Sequence, residues 1–175
     1  MIDYPSLISL PEIKFGSTDK PHLYELADYI DRLKKDLFSD EWSTGTKKHI
    51  KASLVLYVRT MQKKLAPQGA HYKAINVDKA HLEHVVPQNK IINAYLHDKI
   101  SAEMVLQMPL CIIDDADKHI LESEWQHGAT WEHPFKRYRL AGYDKTIKSV
   151  RGDVIDLETY TLEDHFKMIG YNEGI

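Results

Sequence analysis

Cysteine is almost absent from this chain: Cys111 is the single one in 175 residues. One thiol excludes an intramolecular disulfide and any zinc knuckle built from paired cysteines, so packing alone must brace the fold. Cys111 lies in an apolar run and reads as small strand filling. Long apolar stretches are missing too. None approaches the roughly 20 residues that span a bilayer, and residues 1 to 16 lack a basic start followed by an apolar stretch. The expectation is a cytoplasmic protein that does not enter a membrane. Nor is there a strong excess of positive charge. A net charge of −3 excludes a surface coated in cations, so any contact with a polyanion has to be local. Internal repeats and low-complexity tracts are absent.

What is present suits one globular domain over 1–175, with 43% hydrophobic and 28% charged residues, enough to bury a sizeable core. Residues 1–20 carry Pro5, Pro11 and Gly16 among scattered apolar residues and read as an arm. From Pro21, the residues Leu23, Leu26, Ile30, Leu33 and Leu37 recur at spacings of three and four, which predicts a helix. A second helix begins near Thr44 or Thr46 and runs to about Leu65, with Ile50, Leu54, Val58, Met61 and Leu65 on one face. Ala66-Pro67-Gln68-Gly69 ends it, so 21–66 reads as a helical hairpin. A terminal helix is expected over 160–171, with Leu162, His165, Phe166 and Ile169 facing inward.

The chemistry concentrates in 80–125. Residues 80 to 86 form a short apolar-rich run ending in Val85 and Val86, and Pro87 stops it by removing a backbone donor. A second run, 109–113, leads into Asp114-Asp115-Ala116-Asp117-Lys118-His119, where early acids suit the positive end of a helix dipole and Ile120, Leu121 and Trp125 supply an apolar stripe. Between the runs, Ser101 stands at an N-cap position for a short helix over 101–107. The order is strand, loop, strand, helix. Glu83 offers an anionic oxygen and His119 an imidazole nitrogen, both suited to a divalent cation. His84 carries the side chain that titrates nearest neutrality and can take a proton from water. Against a shared site stands the alternation of a strand, which sends Glu83 and His84 to opposite faces unless the strand breaks near Pro87.

Leu82-Glu83-His84-Val85-Val86-Pro87-Gln88, with Asp117-Lys118-His119 following an apolar strand, resembles the two halves of the HNH, or ββα-metal, nuclease motif. It is similar to the motif in phage and mobile-element endonucleases and in the HNH domain of RNA-guided nucleases. The resemblance covers roughly residues 80 to 125. It implies an α+β fold, mainly helical, with a small two-stranded ββα-metal unit. It also implies a hydrolase that cuts DNA phosphodiester bonds with His84 as general base. Glu83 and His119 would hold one divalent ion, magnesium before manganese, nickel or zinc, and Asp117 is an alternate ligand. The middle Asn that orients the base in many members is absent here, which leaves Gln107 or a backbone carbonyl for that place. Thirty-five residues separate His84 from His119, longer than in compact members.

The segment 126–175 is basic and aromatic at its start. In Trp131-Glu132-His133-Pro134-Phe135-Lys136-Arg137-Tyr138-Arg139, aromatic residues interleave with cations. Lys136, Arg137 and Arg139 are candidates for gripping phosphate; the alternative is a loop pinned to the core by Trp131 and Phe135. Basic residues also cluster at Lys34 and Lys35 and between Lys47 and Lys64, where a solvated face is the plainer reading. Two other functional readings stay open. One is a nucleic-acid-binding module that keeps the ββα shape without catalysis, which the missing Asn favours. The other is a zinc site on His81, His84 and His119. The partner is DNA, and a homodimer is compatible with the sequence.

Overall fold

The computed structural model describes residues 21–121 and 130–170. The expected arm over 1–20 lies outside them, as does Trp125 of the expected apolar stripe. The fold is α+β. Helix α1 (Pro21–Phe38) forms where the three-and-four spacing places it, and Leu23, Ile30 and Leu37 face inward. Helix α2 (Thr44–Leu65) starts at Ser43, whose hydroxyl accepts from Thr46 N at 3.2 Å and so satisfies one of the orphan donors of the first turn. Leu54 and Val58 bury their side chains between the two helices.

Two further helices occupy the insertion between the expected strands. Helix α4 (Ala102–Leu106) is capped by Ser101, whose side chain accepts from Met104 N, as its position in the sequence suggests. Helix α3 (Gln88–Leu96) was not expected. It begins directly after Pro87, and Ile91, Ile92, Ala94, Tyr95 and Leu96 are all buried, so no simple one-faced stripe marks it. The Tyr95 hydroxyl fastens α3 to α1 by donating to Asp31 Oδ1 at 2.6 Å. Helices α1 to α4 share one core with Trp131, Leu162 and Phe166.

The sheet corrects the expectation of two strands. Among the described residues it has four, β1 (Tyr72–Ala74), β2 (Ala80–His84), β3 (Leu110–Asp114) and β4 (Ile147–Ser149), in the order β2-β3-β1-β4. The pair β2–β3 is antiparallel, β1–β3 parallel and β1–β4 antiparallel. At three residues each, β1 and β4 are too short to display a period of two, which is why the pattern passes over them. β2 also stops earlier than expected, at His84, although Val85 N still donates to Pro109 O at 3.1 Å.

The sheet divides the protein into two packing layers. On one face Tyr72, Val85, Cys111, Ile113 and Ile147 pack with Leu121 of α5 (Lys118–Leu121), with Phe135, and with Tyr138 of α6 (Lys136–Leu140). On the other, Leu110, Leu82 and Ile112 meet Ala66 and Ala70, small residues that let the end of α2 approach the sheet. Trp131 and Phe135 are buried, as the pinned-loop reading requires. Among the described residues no helix is long and apolar enough to cross a membrane.

The last helix of the described residues, α7 (Leu162–Met168), is shorter than the expected 160–171, because a capping box fixes its start. Thr161 Oγ1 accepts from Asp164 N at 3.0 Å, and Asp164 Oδ2 accepts from Thr161 N at 2.9 Å. Leu162, His165 and Phe166 face inward as expected. Replacing Thr161 by Ala should cost about 1 kcal/mol, seen as a lower urea midpoint with an unchanged slope; an unchanged midpoint would mean the box adds nothing.

Candidate active site

Strand alternation decides where the motif side chains go. Glu83 pairs with Cys111 across the β2–β3 ladder and shares its face, whereas His84 pairs with Leu110 and belongs to the opposite one. The two residues are therefore held by different layers of the protein.

Glu83 is held by Arg137. This arginine is only 2% exposed, and a buried cation needs a counter-charge and acceptors for its donors. Its Nη2 donates to Glu83 Oε1, while Nη1 donates to the carbonyls of His84 and Val85, each at 3.3 Å. The second carboxylate oxygen, Oε2, faces His81 Nε2 at 3.7 Å. His81 lies between two acids, for its Nδ1 is 3.7 Å from Asp115 Oδ1. Asp115 in turn meets Lys118 at 2.9 Å and Lys79 at 3.0 Å, and these ammonium groups hold its carboxyl down at about 2.

On the other face His84 Nε2 lies 3.0 Å from Gln62 Oε1. Gln62 Nε2 donates to Val105 O at 2.6 Å, and a carbonyl can only accept. The amide is thereby fixed with its oxygen toward His84. Nε2 of His84 must then carry the proton, which leaves Nδ1 as the nitrogen with the lone pair. Burial, followed by the positive charges of Arg59 and Arg137, pushes this imidazole down to about 4. At neutral pH His84 is a neutral, single tautomer.

The place expected for Gln107 is thus taken by Gln62. Gln107 is buried after α4, and its backbone carbonyl accepts from His165 Nε2 at 2.8 Å. Gln62 carried a signal in the sequence: it stands four residues after Val58, on the core side of α2, where a polar residue demands a buried partner. Arg137 carried none, since nothing in its run of aromatics and cations distinguishes it from Lys136 and Arg139.

Several expectations are corrected or refined. Arg137 has no solvent access and is committed to Glu83 and two carbonyls, so it cannot grip a substrate phosphate. Arg139 is exposed, and Lys136 reaches the surface, paired with Glu158 at 2.6 Å. His81 and His84 project from opposite faces of β2, so one zinc ion cannot be bound by both. Asp117 pairs with Lys145 at 3.0 Å, and Lys145 also approaches Asp114 at 3.6 Å. Asp114 itself caps the turn after β3, accepting from Asp78 N at 2.9 Å and Ala116 N at 3.2 Å. His119 is exposed on α5. The helix packs on the Glu83 side of the sheet, because Leu121 joins Val85, Cys111 and Ile113. Among the described residues no three His, Cys, Asp or Glu side chains form a group that could hold a metal ion. The donors available on that face are chemically suited to one, with Glu83 Oε2 the carboxylate oxygen not bonded to Arg137. Compared with family models, curated proteins and solved structures, the chain finds no match.

Two outcomes follow from these bonds. Because the folded-state value of His84 lies below its ordinary 6.5, the unfolded chain protonates first as pH falls. The stability held by neutral His84 is present above pH 6.5 and lost as pH drops toward about 4, a contribution on the order of 3 kcal/mol. Urea unfolding at pH 7 and pH 4.5 should show a smaller decline for His84→Asn than for wild type; equal declines would place the titration elsewhere. Arg137→Met should destabilise by about 3 kcal/mol or more by leaving Glu83 unpaired, and adding Glu83→Leu should recover part of that. Recovery of nothing in the double variant would show that the pair is not the source.

Proposed function

We propose that the protein is a metal-dependent endonuclease of the HNH, ββα-metal kind that hydrolyses phosphodiester bonds in DNA. The observation that carries this reading is the state of His84. It stands next to Glu83 at the end of a strand, neutral at pH 7, with Gln62 holding the proton on Nε2 and leaving Nδ1 to accept one from water. The strand order adds support, since β2 pairs antiparallel with β3 and β3 leads into α5 on the Glu83 face.

Because Glu83 and His84 leave β2 on opposite faces, this reading requires the scissile phosphate to lie across the end of the strand, which stops at His84. There His84 Nδ1 deprotonates the attacking water, and Gln62 keeps the imidazole from rotating as it gains positive charge. Glu83 and His119 would hold a divalent ion, magnesium first and manganese, nickel or zinc as substitutes, with Asp117 an alternate ligand on leaving Lys145. The chemistry such an ion would supply there is Lewis-acid polarisation of the scissile phosphate. Lys136 and Arg139 are surface cations able to meet phosphate oxygens.

A second reading is favoured by one ion pair. Glu83 already has a counter-charge in Arg137, which suits a nucleic-acid-binding module that keeps the shape without catalysis.

Supercoiled-plasmid cleavage separates the two. Wild type should nick DNA with Mg²⁺, Mn²⁺ or Ni²⁺ and not in EDTA. His84→Ala should lower the rate by roughly 100-fold or more while its far-UV circular dichroism stays native. Gln62→Leu should lower it less. DNA binding without cleavage in any metal would reject the nuclease and select the binding module.

A further inference from the structure

Helix α2 is chemically unlike the rest of the chain. Its 22 residues include Lys47, Lys48, Lys51, Arg59, Lys63 and Lys64 and no acidic residue, in a protein with 26 acids and 23 Lys or Arg. Several cations elsewhere face carboxylates, as Lys79, Lys118, Lys136, Arg137 and Lys145 do. Among the described residues none of the six on α2 is in an ion pair. Like charges three and four residues apart on a helix repel, and here nothing relieves them. A face that keeps such a cost is suited to an anionic partner.

The same face carries a shallow groove of about 450 Å³, lined by Lys48, Lys51, Leu56, Arg59 and Gln88 among others, with no acid in its lining. Lys48 and Arg59 are eleven residues apart, about 17 Å along a helix. That length matches roughly five nucleotide steps at ~3.4 Å each along one strand. The groove also points to the candidate site. Gln88, four residues beyond His84, lines the groove and donates to Val55 O at 3.0 Å, and Gln62, three residues beyond Arg59, is the residue bonded to His84. Leu56, 66% exposed, gives the groove an apolar rib against which sugars can rest.

We propose that this groove is the DNA-binding track, in which Lys48, Lys51 and Arg59 contact successive phosphates and lead the strand to the His84 face of β2. Its direction toward His84 rests on the nuclease reading, whereas the unpaired charge of α2 does not. The main polyanion contact then lies on α2, and Lys136 and Arg139 contribute less.

The test is fluorescence anisotropy of a labelled DNA duplex and of the matching single strand, in EDTA so that nothing is cut, over a series of salt concentrations. Lys48→Gln/Lys51→Gln/Arg59→Gln should weaken binding at least tenfold and flatten the log–log salt slope by roughly 2 to 3, about 0.9 for each phosphate left without its cation. Lys136→Gln/Arg139→Gln should change both less. A charge-preserving variant, Lys48→Arg/Lys51→Arg/Arg59→Lys, should bind nearly as wild type, and urea unfolding of each variant checks the fold. Unchanged affinity and slope in the Gln variant would overturn the proposal. So would a wild type that binds neither DNA form; direct binding of labelled polyglutamate would then assign the face to an acidic protein. The two readings fail separately. DNA held on α2 but never cut rejects the nuclease and keeps the track; plasmid cleavage that survives the Gln variant does the reverse.

Discussion

The buried guanidinium of Arg137 is the interaction on which the arrangement turns. A cation inside a protein is costly unless every donor finds an acceptor and its charge a partner. Here one short stretch of chain, the Glu83 carboxylate with the carbonyls of His84 and Val85, meets the charge and both terminal nitrogens, and of the guanidinium nitrogens only Nε is left without an acceptor among the described residues. Those bonds tie α6 to the end of β2 across more than fifty residues of sequence. They also take up the His84 and Val85 carbonyls at the point where β2 stops, opposite Pro109, which has no backbone N–H to offer. The aromatic side chains around it, Phe135, Tyr138 and Tyr143, exclude water and make the pairing obligatory.

From this follows the division of the motif between two layers. Glu83 answers to Arg137 and the aromatic layer, whereas His84, its neighbour, answers to Gln62 and through it to the backbone of α4. Neither side chain can shift without disturbing a different core. A site of this kind is preorganised by two independent supports, one electrostatic and one built from neutral hydrogen bonds. His165 repeats the second device deeper in the protein, donating from Nε2 to the Gln107 carbonyl and accepting from the Tyr72 hydroxyl at 2.8 Å on Nδ1.

The helices α1 and α2 were legible because their apolar residues recur along one stripe and because Ser43 can cap the second. The Ser101 cap of α4 was legible for the same local reason. Helix α3 was hidden by being buried on most sides, and β1 and β4 by their brevity. In the candidate site, Glu83 and His84 are marked by residue type and by Pro87, but their partners come from distant segments. Gln62 could have been found as a polar residue in a core register. Arg137 could not, since its burial is decided by where α6 docks on the sheet. The break near Pro87 that would have let Glu83 and His84 turn to one site comes too late in the chain: both still lie in β2 and face opposite ways.

The order β2-β3-β1-β4 has a consequence for how the protein comes into being. β1 leaves the ribosome first of the four yet sits third, between β3 and β4, and its partners Cys111 and Ser149 come much later. From Tyr72 to Ser149 is 149 − 72 = 77 residues, so at ordinary synthesis rates roughly 4 to 15 seconds pass before β1 can be paired on both sides. Throughout that interval its backbone groups are open to a strand of another chain. The helical hairpin before it, built from near neighbours in sequence, can be in place well before then. The nascent protein is thus a helical hairpin followed by an unfinished sheet, and Arg137 reaches Glu83 only with the segment that leads into β4.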